Sequence, residues 1–181
     1  MNKQNRFLPT TKDEMKQRGW DELDVVLITG DAYIDSPFMG IAVVGRILED
    51  IGLRVGIIGQ PDINSDVDIK RLGEPKLFWG VSGGSIDSMV SNYTATKKFR
   101  NDDDYTPGGK NNKRPDRATL VYTNLIRRYF KNTAPIVLGG IEASLRRLTH
   151  YDYWSNTLRK PILFDSKAII VTGKQIGRAH V

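Results

Sequence analysis

Small and polar residues recur where the apolar, β-branched segments of this chain end. Gly30 and Asp31 follow the first such segment, and Gly59 and Gln60 follow the second. Ligands of open α/β sheets bind beyond the carboxyl ends of the strands, so these positions are where chemistry is expected. The predicted ligand-facing rim combines them with two later strand ends, and its candidate residues are Asp31, Ser82, Gly83, Gly139, Gly140 and Glu142.

The rim does not carry the usual phosphate-binding signatures. The residues after the first segment read GDAYIDSPFMG, which lacks the Gly-x-Gly-x-x-Gly spacing of a dinucleotide site. Gly108, Gly109 and Lys110 lack the rest of a P-loop. Asp31 and Asp35 suggest an acidic phosphoacceptor pocket, but Ser82 stands where such a pocket wants a further aspartate. The simpler interpretation is that Asp31 caps a turn and Asp35 helps to start a helix.

Basic residues are concentrated in one part of the chain, which has a net charge of +6. The polar loop Lys97–Arg117 interleaves them with Phe99 and Tyr105, as in surfaces that bind phosphates and stack on RNA bases. The alternative, which the sequence favours, is a loop that docks on another part of the same protein. His150 lies among aromatic residues and is predicted to be structural.

Five short β-branched segments alternate with helical or loop segments. Apolar residues at helical spacing between Ile41 and Ile51 predict a helix that begins near Ser36 and packs one face on the sheet. A second helix is predicted from Ala118, burying Leu120, Val121, Leu125, Ile126 and Tyr129. The predicted fold is α/β, an open, mostly parallel five-stranded sheet with flanking helices, Rossmann-like. Its last strand is predicted at 168–171.

The predicted organisation is a lead-in over 1–20, one α/β domain over 21–173 and a separate tail over 174–181. A short helix with a Thr-x-x-Glu capping box is expected after Thr11. The tail contains IGRAHV, which a common sequencing adapter encodes when it is read in frame. We therefore expect a longer protein to have been cut near 172–174, leaving an artefactual tail.

The chain has no cysteine, so it offers no disulfide and no thiolate ligand for a metal or an iron–sulfur cluster. Its apolar runs are shorter than the roughly 20 residues that span a bilayer, so no membrane contact is predicted. The first residues show no apolar core of a secretory signal. The expected location is the cytoplasm.

Several motifs together resemble the N-terminal domain of YgiQ-type radical SAM proteins. The resemblance covers roughly residues 5–172 and rests on the specific stretches NYTATKK, YTPGGK and GGIEASLRR. It implies a fold similar to a cobalamin-binding domain, followed by a barrel whose Cys-x-x-x-Cys-x-x-Cys motif holds a [4Fe-4S] cluster and S-adenosylmethionine. Those cofactors would belong to the full-length parent protein, because this chain ligates neither of them.

Two positions depart from related patterns. Cobalt-binding domains use Asp-x-His-x-x-Gly, and Pro37 stands at the histidine position of the aligned residues 35–40. Family members often carry a histidine where this chain has Ser36. The resemblance therefore implies no histidine ligand to cobalamin here, since function belongs to the site and not to the fold.

The predicted function is the N-terminal domain of a radical SAM enzyme of unknown substrate, inactive alone, with no catalytic or metal-binding residue. Its partner is the missing C-terminal barrel of the same protein, and the rim faces that barrel. Two alternatives stay open: a cobalamin- or nucleotide-binding module at the rim, and an RNA-binding surface at Lys97–Arg117.

Overall fold

A five-stranded, all-parallel sheet forms the centre of the protein. The computed structural model describes residues 7–172. The sheet contains β1 (Val25–Thr29), β2 (Val55–Gly59), β3 (Phe78–Ser82), β4 (Ile136–Gly139) and β7 (Ile170–Val171), in the order β2-β1-β3-β4-β7. The antiparallel pair β5 (His150–Asp152) and β6 (Thr157–Arg159) forms a separate hairpin. The prediction of an open five-stranded α/β sheet is confirmed.

Seven helices surround this sheet in the part of the chain described. They are α1 (Lys12–Gln17), α2 (Gly40–Asp50), α3 (Val67–Lys70), α4 (Ser88–Asn92), α5 (Ala118–Tyr129), α6 (Gly140–Leu145) and α7 (Ile162–Ser166). None of these helices is long and apolar enough to cross a membrane.

The larger core lies on one side of the sheet. Strand residues alternate between the two sides, so Val26, Trp79 and Leu138 share this side and pack with Tyr122 and Ile126 of α5. Trp79 donates its Nε1–H to Thr133 Oγ1 at 2.7 Å, which satisfies the polar atom of a side chain that is otherwise fully buried. This core fixes β3 and β4 against α5.

A smaller core lies on the other side of the sheet. Leu27 and Ile57 pack there with Leu8 and with Ile41 and Leu48 of α2. The chain before α1 runs along the outer edge of β2, where the Pro9 carbonyl accepts the N–H of Ile57 at 2.9 Å. Residues of the predicted lead-in thus contribute to the fold, through Leu8 here and Met15 in the larger core.

The structure corrects two predictions for α2. The helix begins at Gly40 rather than near Ser36, because the Ser36 hydroxyl accepts the N–H of Phe38 at 3.3 Å and caps a preceding turn. The predicted packing face is correct for Ile41 and Leu48, which contact the smaller core, but wrong for Val44, Ile47 and Ile51. Ala42 and Gly45 are the residues buried against the sheet, while those three residues point outward.

The predicted buried face of α5 is correct for Leu125 and Ile126 but wrong elsewhere. Leu120, Val121 and Tyr129 are only partly buried, whereas Thr119 and Tyr122 are fully buried. Thr123 is buried as well. Its hydroxyl is satisfied inside the protein, since Oγ1 donates to the Thr119 carbonyl at 2.8 Å. These polar threonines hid the true face in the sequence pattern.

The C-terminal third differs most from expectation. Helix α6, the β5–β6 hairpin and α7 were not predicted, and the last strand covers Ile170–Val171 instead of 168–171. The predicted tail at 174–181 lies outside the described residues.

The predicted capping box at α1 is confirmed. Thr11 Oγ1 accepts the N–H of Glu14 at 3.3 Å, and Glu14 Oε2 accepts the N–H of Thr11 at 3.0 Å. These bonds satisfy backbone donors that the first helical turn leaves unpaired.

We expect Thr11→Ala to lower the free energy of unfolding by about 1 kcal/mol, because it leaves one of these donors without its partner. Urea denaturation of the 181-residue chain measures this change. Lys12→Ala is the matched control at an exposed neighbouring position, and its effect should stay within about 0.5 kcal/mol. Equal effects for the two variants would contradict the capping role.

Candidate functional site

The predicted rim residues come together at one edge of the sheet. Thr29 pairs with Ser82, and Ser82 pairs with Gly139, so β1, β3 and β4 end side by side. Asp31, Gly83 and the start of α6 follow directly. We call this the carboxyl-end edge. Helix α2 leaves β1 on the side of the smaller core, whereas α5 follows β3 on the side of the larger core, so the chain diverges between β1 and β3. Such a divergence is where an open α/β sheet binds ligands.

The carboxyl-end edge is covered by the polar segment 101–117, which we call the covering loop. Its Tyr105 carbonyl accepts the N–H of Ala32 at 2.9 Å, just beyond β1. Its Thr106 Oγ1 accepts a hydrogen bond from Gln60 Nε2 at 2.6 Å, just beyond β2. The loop therefore docks on the strand ends of its own domain, as the favoured interpretation of its sequence predicted.

Arg114 anchors the covering loop beneath the surface. Its side chain is 0% exposed and lies between two buried carboxylates, with Nη2 at 2.9 Å from Asp31 Oδ1 and 3.3 Å from Asp103 Oδ2. Its Nη1 donates to the Gly83 carbonyl at 3.1 Å. One guanidinium thus joins the end of β1, the end of β3 and the covering loop. Breaking such a buried group of charges is costly, because each carboxylate would lose its counter-charge.

Asp31 is fully engaged by the protein itself. Its Oδ2 accepts the N–H of Ser85 at 2.6 Å and the hydroxyl of Ser85 at 2.7 Å, and the residue is 2% exposed. Its Oδ1 contacts Arg114 as an ion pair without hydrogen-bond alignment. Gly84 permits this packing, because it has a φ of +113° and a Cβ atom there would collide with Asp31. A ligand reaching Asp31 would have to displace Arg114 or Ser85.

Glu142 joins two helix starts and is 1% exposed. Its Oε2 accepts the N–H of Ser88 in the first turn of α4 at 2.9 Å, and its Oε1 accepts the N–H of Thr119 in the first turn of α5 at 2.9 Å. A carboxylate is favoured at both places, since the first N–H groups of a helix are unpaired and carry partial positive charge. Gly83 lies so close that a Cβ atom on it would collide with Glu142 Oε2.

The other two glycines of the rim serve close contacts between strand ends. Gly140 has a φ of +82°, and a Cβ atom there would lie 2.6 Å from Ser82 Oγ. Gly139 lies beside Thr172, whose Oγ1 would be 3.2 Å from a Cβ atom at that position. The Ser82 hydroxyl accepts the N–H of Gly84 at 3.1 Å. All these contacts are made within the protein, and they leave less space for a ligand at the carboxyl-end edge.

Asp152, at the end of β5, holds the hairpin to α5. Its Oδ2 lies 2.7 Å from Arg117 Nη2 and 3.3 Å from Arg159 Nε, and it accepts the N–H of Ser155 at 3.0 Å. Burial alone would raise the pKa of Asp152, but the hydrogen bonds from Ser155 and Arg117 outweigh burial and lower this pKa to about 2. The charged form is therefore stabilised by folding.

We expect Asp152 to make the domain sensitive to acid. The pKa of Asp152 lies below its ordinary value of 3.8. Its contribution to the free energy of unfolding is therefore complete above about pH 4 and is lost as the pH falls towards 2. Between these pH values, protonation of Asp152 should lower the free energy of unfolding of the wild type by on the order of 2 kcal/mol. Urea denaturation at pH 5 and pH 2.5 measures it. Asp152→Asn should show a smaller decline, with the remainder due partly to Asp24, whose pKa the hydrogen bonds from Arg54 lower to about 2. An identical decline in both proteins would contradict this role.

The structure also shows where the residues of the alternative readings lie. Arg114 of the proposed RNA surface is buried and Arg117 is ion-paired with Asp152, so an RNA surface that includes Arg114 is wrong. Asp31 pairs with Arg114 while Asp35 pairs with Arg46, so the two aspartates are held by different cations. His150 Nδ1 lies 3.0 Å from the Leu148 carbonyl, within hydrogen-bond distance.

The residues that the structure describes do not fit a cluster or metal site. A [4Fe-4S] cluster needs thiolate ligands, and the sequence contains no cysteine. Within residues 7–172, no group of three or more histidine, aspartate and glutamate side chains is arranged to hold a metal ion. Sequence reasoning missed the central role of Arg114 and the contacts of Ser85 and Asp103, because these residues are distant from Asp31 along the chain.

Comparison with known proteins identifies relatives of this chain. The family model described as "Radical SAM N-terminal" matches residues 7–175. A UPF0313 protein of Fusobacterium nucleatum is 64% identical over 168 residues, which are 92% of this chain and 30% of that protein. The UPF0313 protein YgiQ of Escherichia coli is 57% identical over 162 residues, which are 90% of this chain and 22% of that protein. No solved structure matches the chain.

The matched relatives are much longer than this chain. A UPF0313 protein of Thermotoga neapolitana, 63% identical over 162 residues, is likewise covered over only 28% of its length. The chain thus corresponds to the N-terminal part of such proteins, as its sequence motifs implied. Because the family model matches nearly the whole of the described chain, the protein belongs to the Radical SAM N-terminal family.

Proposed function

We propose that this chain is the N-terminal domain of a radical SAM enzyme, and that its carboxyl-end edge lies against the catalytic barrel of the longer protein. The observation that carries this proposal is the burial of Arg114 between Asp31 and Gly83. The position where an open α/β sheet would bind a small ligand is filled by the domain's own covering loop. The edge is therefore built to present a surface and not to hold a nucleotide or cobalamin.

The direction of the last strand also supports a contact between the carboxyl-end edge and the barrel. All five strands are parallel, so β7 ends at the carboxyl-end edge together with β1 and β3. Thr172 lies there, with its N–H donating to the Leu138 carbonyl at 2.8 Å. The remainder of a full-length protein would continue from this edge, next to the covering loop. Short connections between neighbouring units are the rule in protein folds.

In this proposal the rim residues have a positioning role. Asp31, Ser82, Gly83, Gly139, Gly140 and Glu142 hold the covering loop, α4 and α5 in place, and the outer surface of the loop contacts the barrel. The [4Fe-4S] cluster and S-adenosylmethionine would be bound by cysteines of that barrel, where they would supply the radical chemistry. No residue of this chain takes part in that chemistry.

Lysine cross-linking of the full-length parent protein, read by mass spectrometry, tests the proposal. Lys110 and Lys113 are exposed on the covering loop and should form cross-links to the barrel. Lys76 is the matched control, since it is exposed just before β3, at the opposite edge of the sheet. Cross-links from Lys76 with none from Lys110 or Lys113 would overturn the proposed orientation.

A further inference from the structure

The two sides of the sheet are not equally covered. All five residues of β1 and four of the five residues of β2 are buried, as expected for a parallel sheet packed on both sides. In β3 and β4, buried residues alternate with partly buried ones, a pattern typical of strands with one side uncovered. The change occurs between β1 and β3, at the limit of the area that α2 covers.

The uncovered surface is apolar. It consists of Phe78 and Gly80 of β3, Val137 of β4 and Ile170 of β7, which share one side because Gly80 pairs with Val137 and Val137 pairs with Ile170. We call this surface the open face. Ile170 is 50% exposed, and Phe78 and Val137 are partly exposed. Parallel sheets in stable proteins have helices on both sides, so the open face lacks its cover.

Helix α2 borders the open face with a second apolar surface. Val44, Ile47 and Ile51 are 48%, 57% and 70% exposed, and their spacing places them along one stripe of the helix. The flank of α2 that carries Glu49 is tied by an ion pair to Arg18, near the β2 edge. Val44 and Ile51 lie on the opposite flank, which therefore faces β3 and the open face. We call the space between these two apolar surfaces the groove.

The connections between strands indicate which element is missing. The β3-to-β4 and β4-to-β7 connections lie on the side of the larger core, where α7 packs against α5. Helix α2 is the one described helix that packs on the opposite side. Right-handed crossovers place these helices as observed. Beyond β7, the side of the larger core is already occupied, so the groove beside α2 is the vacant place for the next helix.

We infer that the part of the full-length protein that follows the matched residues 7–175 begins with an amphipathic helix that packs in this groove, between α2 and the open face. The relatives supply the required chain, because the matched region is only 22% to 30% of their length. A connection of a few residues and a helix of average length, roughly 20 residues together, would be enough. The inference rests on the proposed function only in requiring a longer protein.

Footprinting of side chains with a carbene reagent, read by mass spectrometry, tests this inference. Labelling of Val44, Ile47 and Ile170 should be several-fold lower in the full-length parent protein than in the 181-residue chain. Val67 is the matched control, because it is an equally apolar, 69% exposed residue on α3. Its labelling should be the same in both proteins. Unchanged labelling of the groove residues would overturn the inference.

A photo-reactive residue at Ile47 of the full-length protein identifies the occupant. The expected adduct lies in the first peptides after the matched region. An adduct to a distant part of the chain or to a second molecule would overturn the inference, as would a source gene whose reading frame ends within a few codons of Thr172. The lysine cross-links of the covering loop report on a different edge, so either proposal can fail without the other.

Discussion

Replacing Arg114 with methionine is expected to lower the free energy of unfolding of the 181-residue chain by about 3–5 kcal/mol. Methionine keeps an unbranched apolar stem but carries no charge, so Asp31 and Asp103 would stay buried without a cation. The Gly83 carbonyl would also lose the N–H that it accepts. Small domains are stable by only about 5–15 kcal/mol, so this loss would remove a large part of the total stability.

Urea denaturation followed by tryptophan fluorescence measures this effect. Lys113→Met is the matched control, because Lys113 is adjacent and exposed, and its effect should stay within about 0.5 kcal/mol. Combining Arg114→Met with Asp103→Asn should restore part of the stability, since one uncompensated carboxylate is removed. A loss below about 1 kcal/mol for Arg114→Met would contradict a buried anchor, because exposed ion pairs contribute no more than that.

Replacing Glu142 with alanine is expected to cost about 3–5 kcal/mol, because hydrogen bonds to a charged group contribute roughly 1.5–3 kcal/mol each and two are lost. The N–H groups of Ser88 and Thr119 would be left buried without their acceptor. Glu142→Gln should be intermediate, since its amide keeps one acceptor oxygen but directs an NH2 group at the other N–H. Both variants loosen the starts of α4 and α5.

Amide hydrogen exchange separates this role from a general loss of stability. In Glu142→Gln, exchange at Ser88 and Thr119 should accelerate more than exchange at Ile28 in β1, because the change acts at two helix starts. Asp104→Ala is the control at an exposed carboxylate of the covering loop and should change neither exchange nor stability. Uniform acceleration across the sheet would contradict the role assigned to Glu142.

The regular elements were predictable where local physics decides them. β-Branched runs such as Val25–Thr29 read clearly as buried strands, and the Thr11–Glu14 capping box marked its helix. The packing face of α2 was misjudged in part, because Val44, Ile47 and Ile51 follow the helical spacing of a buried stripe but are exposed here. The hairpin at His150–Arg159 was missed because its short strands carry polar and aromatic residues without a clear alternation.

The site was predictable only as a location. Parallel strands must end at one edge, so Asp31 and Gly139 were expected near each other. That Arg114 would fill the space beside Asp31 depends on how the covering loop folds back, and no local pattern encodes a contact between residues so far apart in sequence. Glu142 was selected for its place after a strand, whereas its function follows from two helices that begin elsewhere.

Sequencing the source gene beyond the codon for Thr172 tests the central claim most directly. If the chain is the N-terminal domain of a radical SAM enzyme, the reading frame continues into a longer region that contains a Cys-x-x-x-Cys-x-x-Cys motif. A complete downstream frame without that motif, or a stop codon shortly after Thr172, would contradict the account.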